Sequence, residues 1–230
     1  MQVYRNVRYG EYPVSIFIIM FGTQNFLPFL VAAIALNLTP GQDTLYIIGR
    51  SLAQGRRAGI LSVLGIGSGC LVHITLAAIG FYSLIALWPP AFTAITVAGA
   101  FYLIVLGVMT WLGRRSLDLS ARPGTAAKND WQVYRQGMMT NLLNPKVALF
   151  FIAFLPEFID PAGSFGPLPF IFLGFTFFCT GTLWCLFVAV FAASVADTLR
   201  TRPAIQTVLD LFTAALFVCL GAAILLAHAR

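Results

Sequence analysis

Six long apolar runs dominate this 230-residue chain, and nearly all of its charge lies between them. The runs cover about Leu27 to Ile48, Ile60 to Leu87, Ala91 to Leu112, Gly137 to Phe158, Leu168 to Val195 and Val208 to Ala227. About 20 apolar residues, each rising about 1.5 Å, cross a hydrocarbon core of about 30 Å. Within that core every backbone N–H and C=O must find a partner, so the runs are predicted to be helices. Only 10% of residues are charged against 59% hydrophobic, with a mean hydropathy of +0.87. A soluble domain carries about 25% charged residues. Those figures exclude a soluble enzyme and a disordered chain. A pI near 9.5 points to nucleic acid only where basic residues form a soluble face. Here they separate apolar runs, so the expected partner is the lipid bilayer and not nucleic acid. Residues 26–230 read as one integral membrane domain.

The loops predict orientation. Arg50, Arg56 and Arg57 follow the first run, Arg114, Arg115, Arg122, Lys128 and Arg135 the third, and Arg200 and Arg202 the fifth. The two intervening loops contain neither Lys nor Arg. Basic loops stay cytoplasmic, which places loops 1–2, 3–4 and 5–6 inside and both termini outside. Arg5 and Arg8 fall on the wrong side for this rule, and the run after them, Val14 to Phe21, has eight residues, too few to span. Residues 1–25 are therefore read as an extension, with natural translation expected to begin at Met20.

Three helices followed by three place the second half upside down relative to the first. The expectation is an all-α membrane fold of six transmembrane helices, a 3+3 inverted repeat with helices one and four broken. The breaks are Leu38-Thr39-Pro40-Gly41 and Leu143-Asn144-Pro145-Lys146. Matched Pro/Gly interruptions of this kind point to a transporter's binding site. Proline has no N–H and frees the carbonyl one turn earlier, so each break offers backbone ligands. Asp43 and Lys146 are ionisable residues beside these breaks. A charge at the bilayer centre costs about 2.5–3.5 kcal/mol on insertion scales and faces a partner or a polar cavity. Asp43 can bind an ammonium or carry a proton, and Lys146 can bind a carboxylate or pair with Asp43. The bland alternative is that Asp43 caps its helix and Lys146 snorkels.

Two segments carry a resemblance. Asn37-Leu-Thr-Pro-Gly-Gln-Asp-Thr-Leu-Tyr46 with Gly49 to Gly59, and Thr140-Asn-Leu-Leu-Asn-Pro-Lys146 with Phe154-Leu-Pro-Glu-Phe158, resemble the LysE/RhtB amino-acid exporters. The resemblance runs from about Phe26 to the C-terminus. It implies proton-driven efflux of amino acids or related metabolites across a bacterial inner membrane. It carries the functional role onto Pro40, Gly41, Asp43, Asn144, Pro145 and Lys146. Where that family usually has a second proline after Pro-Gly, this chain has Gln42, a less rigid residue that can add a polar contact.

The remaining candidates are weaker. His73 sits mid-run, where an imidazole can shuttle protons or bond a neighbouring helix. With Cys70, three residues earlier, it forms the pair behind an alternative reading, a soft-metal ion translocator. Two ligands make a poor metal site, so no bound metal is expected. Cys70, Cys179, Cys185 and Cys219 all lie in apolar runs and read as small buried residues rather than disulfides. The Gly65-to-Gly69 spacing permits close helix approach, within the chain or in a homodimer. Ser68 would need a base to act as a nucleophile, and His73, five residues on, lies on another helix face. No enzyme chemistry is expected, and with no nucleotide fingerprint, no cofactor. A scaffold without transport activity is the remaining alternative. Trp88, Trp111 and Trp131 fall near run ends, as interfacial anchors do.

Overall fold

The computed structural model describes residues 20–81, 88–112, 129–160, 165–192, 194–195, 201 and 203–228. Residues 1–19, and with them Arg5 and Arg8, lie outside the described residues, as do Arg114, Arg115, Arg122, Lys128, Arg200 and Arg202. The described chain is helical apart from one isolated bridge, Thr23 with Ile159.

Helices α1 (Phe26–Leu38) and α2 (Gln42–Gln54) are separated by three unwound residues, Thr39 to Gly41. Gly55, with φ +84°, then turns the chain directly into α3 (Arg56–Leu76). With ψ 176° this positive-φ backbone is one that essentially only glycine adopts. Helix α3 runs on through a π turn, Ala77–Phe81, and α4 covers Pro89–Trp111. Helices α5 (Asp130–Leu142) and α6 (Pro145–Leu149) are separated by Leu143 and Asn144. Helix α6 continues as a π turn, Phe150–Phe154, and a 3-10 turn, Leu155–Phe158. The change of pitch falls just before Pro156, whose ring and missing N–H forbid regular α-helix there. Helices α7 (Leu168–Val190) and α8 (Pro203–His228) complete the chain.

Among the described residues, Arg56–Gly80 and Leu168–Val190 are long and apolar enough to cross a membrane. Asp130–Leu142 with Pro145–Phe158 passes as one span bent by 45°. The outward faces are apolar too: Leu27, Leu64, Leu76, Ile79, Phe175 and Leu183 are all exposed. Helices apolar all round belong in a lipid surround.

Two expectations are corrected here. Asp130 to Gln136 is helix, not polar loop, because Asn129 and Gln132 form a capping box. Asn129 Oδ1 accepts from the Gln132 N–H at 2.8 Å, and Gln132 Oε1 accepts from the Asn129 N–H at 3.3 Å. Arg50 is no loop residue: it lies within α2 and is 2% exposed. Its Nη1 donates to Gln54 Oε1 at 3.0 Å and its Nη2 to Gln136 Oε1 at 2.9 Å, while the guanidinium stands 5.6 Å from the Tyr46 ring centre. A guanidinium is weakly hydrated and stacks on aromatic faces, so it tolerates this burial better than an ammonium would.

The two broken helices lie antiparallel. The Gln24 N–H donates to Phe158 O, Asp43 meets Asn141, and Arg57 meets Asp130. Numbering thus rises along one as it falls along the other, and the breaks come side by side. Around them α3 packs on α5, α7 on α1, and α4 on α8. Small residues set the first contact. A Cβ on Gly65 would overlap the Tyr134 carbonyl, one on Gly69 would stand 2.8 Å from Met138 O, and one on Gly137 2.7 Å from Ser62 O. The Gly65-to-Gly69 spacing is therefore taken up inside the chain. Ser68 joins the same contact: its Oγ accepts from the Tyr134 hydroxyl at 2.7 Å and donates to Leu64 O at 3.0 Å.

Gly65→Val forces α3 away from α5 and should lower stability by about 1–3 kcal/mol, the usual cost of overpacking. The readout is the thermal unfolding midpoint in detergent; an unchanged midpoint contradicts the contact.

Candidate functional site

The site begins with what proline removes. Pro40 has no N–H, so the carbonyl four residues earlier, that of Leu36, has no helical donor. Lys146 supplies one: its Nζ donates to Leu36 O at 2.6 Å and to Thr39 O at 2.8 Å. These carbonyls form the negative end of α1, where a cation is stabilised. Lys146 reaches them because Asn144 fixes the start of α6. The Asn144 side chain accepts from the Lys146 N–H at 3.1 Å, and Pro145 presets the first helical φ.

The second break is closed differently. Pro145 cannot donate to Asn141 O, which accepts from the Asn144 N–H at 3.0 Å, and His73 Nε2 lies 3.3 Å from the same carbonyl. A carbonyl only accepts, so this ring nitrogen carries the hydrogen. The His73 ring also stacks on Phe151, centroids 5.7 Å apart. A basic side chain from another element thus stands at a carbonyl beside each break. Among the described residues no three of His, Cys, Asp and Glu converge.

Asp43 occupies the first turn of α2, whose positive end favours a carboxylate. Its Oδ2 accepts from Asn141 Nδ2 at 2.9 Å. Lys146 engages backbone carbonyls instead of snorkelling. Both side chains border the polar one of two adjoining lobes that share part of their lining. The polar lobe, about 40 Å³, is lined by Thr39, Gly41, Asp43, Asn144, Lys146 and Trp184, among others. The apolar lobe, about 50 Å³, is lined by Val63, Ile66, Gly67, Cys70 and Phe178, among others. Asn37, Asp43, Val147, Phe177 and Cys185 border both lobes. Pro40 and Pro145 act through the backbone they interrupt. Gln42 is exposed and lines neither lobe, because one residue before Asp43 is about 100° round the helix.

Three buried polar atoms at these lobes have no partner: Asp43 Oδ1, Asn141 Oδ1 and Trp184 Nε1. Leaving such a group unpaired costs about 1–3 kcal/mol. Two are acceptors and one is a donor, which complements a molecule carrying both an ammonium and a carboxylate. Sequence reasoning missed Asn37, Asn141 and Trp184. The two asparagines had a signal, since each stands three residues before the unwound Pro40 or Asn144. Asn37 Nδ2 donates to Thr180 Oγ1 at 3.0 Å and so ties α1 to α7. Trp184 lies mid-run among apolar residues and carried none.

The sequence model of the LysE type translocator family matches residues 34–228. An uncharacterized membrane protein of Vibrio cholerae serotype O1 is 31% identical over 204 residues, which cover 89% of this chain and 97% of the relative. A leucine efflux protein of Klebsiella pneumoniae is 30% identical, covering 79% of this chain and 85% of its own. Another from Salmonella choleraesuis is 28% identical, covering 86% and 93%. No solved structure matches the chain.

Lys146→Met strands two carbonyls and should cost about 1–3 kcal/mol. Adding Pro40→Ala restores the N–H that Leu36 O lacks. The double variant should therefore lose less stability than the two single losses summed. Strict additivity of unfolding midpoints contradicts the pairing of Lys146 with the break.

Proposed function

Because this chain belongs to the LysE type translocator family, we propose that it exports amino acids from the cytoplasm in exchange for protons. The leucine efflux proteins among its relatives support both the cargo class and the direction. The observation that carries the reading is the cavity between the breaks, with its unpaired acceptors on Asp43 and Asn141 and its unpaired donor on Trp184. The passenger's ammonium goes to Asp43 Oδ1 and Asn141 Oδ1, and its carboxylate to Trp184 Nε1. Lys146 exchanges the carbonyls of Leu36 and Thr39 for that carboxylate. Asp43 carries the coupled proton, and His73, bonded to Asn141 O, links it to α3.

The same proposal sets the architecture. Six spans form two inverted halves, for which the antiparallel broken helices and the matched pairs α3 on α5 and α7 on α1 are the support. The halves rock about the cavity so that it opens to one side at a time. Basic loops face the cytoplasm of a bacterial cell, and both termini face outward.

The test is counterflow of labelled amino acids in vesicles of the purified protein, with and without an imposed pH gradient. Leucine should move, and faster with the gradient. Asp43→Asn should fold normally and abolish the gradient's effect; gradient-driven efflux at the normal rate removes the proton role. Trp184→Phe should raise the concentration for half-maximal transport about tenfold, as expected for a lost hydrogen bond of about 1.4 kcal/mol. An unchanged value contradicts the carboxylate contact.

A further inference from the structure

We propose that the apolar lobe is a side-chain subsite that selects aliphatic side chains, with Gly67 and Cys70 setting the size it accepts. This rests on the reading that the cavity carries an amino acid, and adds what that reading leaves open, the size and chemistry of the passenger's side chain.

The chemistry comes first. Apart from Asp43 at its border, no charged residue lines the lobe. A cationic side chain entering it would lose its hydration and compete with the passenger's own ammonium for that single carboxylate. An aliphatic side chain gains instead, about 0.8 kcal/mol for each CH₂ removed from water. Size comes second. The lobe is small, about 50 Å³, so the side chains that line it decide which passengers fit.

Two helices set that limit. Helix α3 presents Gly67 and Cys70, three residues apart and so on one face. Helix α7 presents Phe178 and Cys185 opposite. A Cβ on Gly67 would stand 3.2 Å from Phe178 Cε2, so a methyl there must push the ring by a few tenths of an ångström. Gly67→Ala therefore narrows the lobe. Cys70 is buried, and Cys70→Ala removes its sulfur and widens the lobe. A residue with a merely structural role would not shift size preference in opposite directions on opposite changes of volume.

The experiment measures counterflow of alanine, leucine and phenylalanine in vesicles of the full chain. Gly67→Ala should lower the leucine-to-alanine rate ratio about tenfold, and Cys70→Ala should raise the phenylalanine-to-leucine ratio by a similar factor, the scale on which pockets discriminate single carbons. Unchanged ratios, or ratios that shift toward the same size in both variants, overturn the subsite while leaving transport standing. Wild-type vesicles that move none of the three overturn the transport reading and the subsite with it. Cys185→Val narrows the lobe from the α7 side and replaces Gly67→Ala if that variant does not reach the membrane. The same fall in leucine-to-alanine ratio is then expected, and its absence overturns the proposal.

Discussion

Pro40 leaves the carbonyl of Leu36 without its helical donor in the middle of an apolar bundle, whereas the carbonyl that Pro145 cannot serve, Asn141 O, is reached by the Asn144 N–H instead. In lipid an unpaired carbonyl costs several kcal/mol. The structure meets that demand with Lys146 for Leu36, while Asn141 O, held by the Asn144 N–H at 3.0 Å, also has His73 Nε2 3.3 Å away. The consequence is reciprocal. The first broken helix is held by a residue of the second, and the second by a residue of α3. Bringing donor to acceptor draws Asp43, Asn141 and Lys146 around the adjoining lobes, and polar groups that would be costly singly come to serve each other.

The two broken helices are tied together on either side of their breaks by different chemistry. On one side Phe29, Phe150, Phe154 and Phe158 pack ring against ring, with Phe154 and Phe158 4.6 Å apart edge to face. Beyond them Gln24 holds Glu157 O and Ile159 O. On the other side the ties are polar: Tyr46 OH to Val133 O at 2.7 Å and Arg50 to Gln136. Beyond these lies the exposed Arg57–Asp130 pair, worth little by itself in water.

Much of this was legible in the residues. Long apolar runs specified helices, and proline at positions 40 and 145 specified where two of them unwind, because no other residue lacks the N–H. The identity of the donors was not legible. Nothing local to Lys146 says that it reaches Leu36, since that contact depends on two helices lying antiparallel with their breaks abreast. Arg50 was misplaced for a related reason: the rule that assigns basic residues to loops does not see a Tyr46 ring and two glutamines waiting to receive a guanidinium. The start of α5 was missed because apolar periodicity begins at Gly137, while the helix is initiated earlier by the polar capping of Asn129 and Gln132. Trp184 was invisible because its place at the cavity is set entirely by how α7 packs.

The central claim is that the two breaks together hold the passenger. An experimentally determined structure with leucine bound tests it most directly. The account predicts the leucine ammonium within hydrogen-bond distance of Asp43 and Asn141, and its isobutyl group against Gly67 and Cys70. Leucine lodged elsewhere, for example between α4 and α8 with Lys146 still on Leu36 and Thr39, would contradict it.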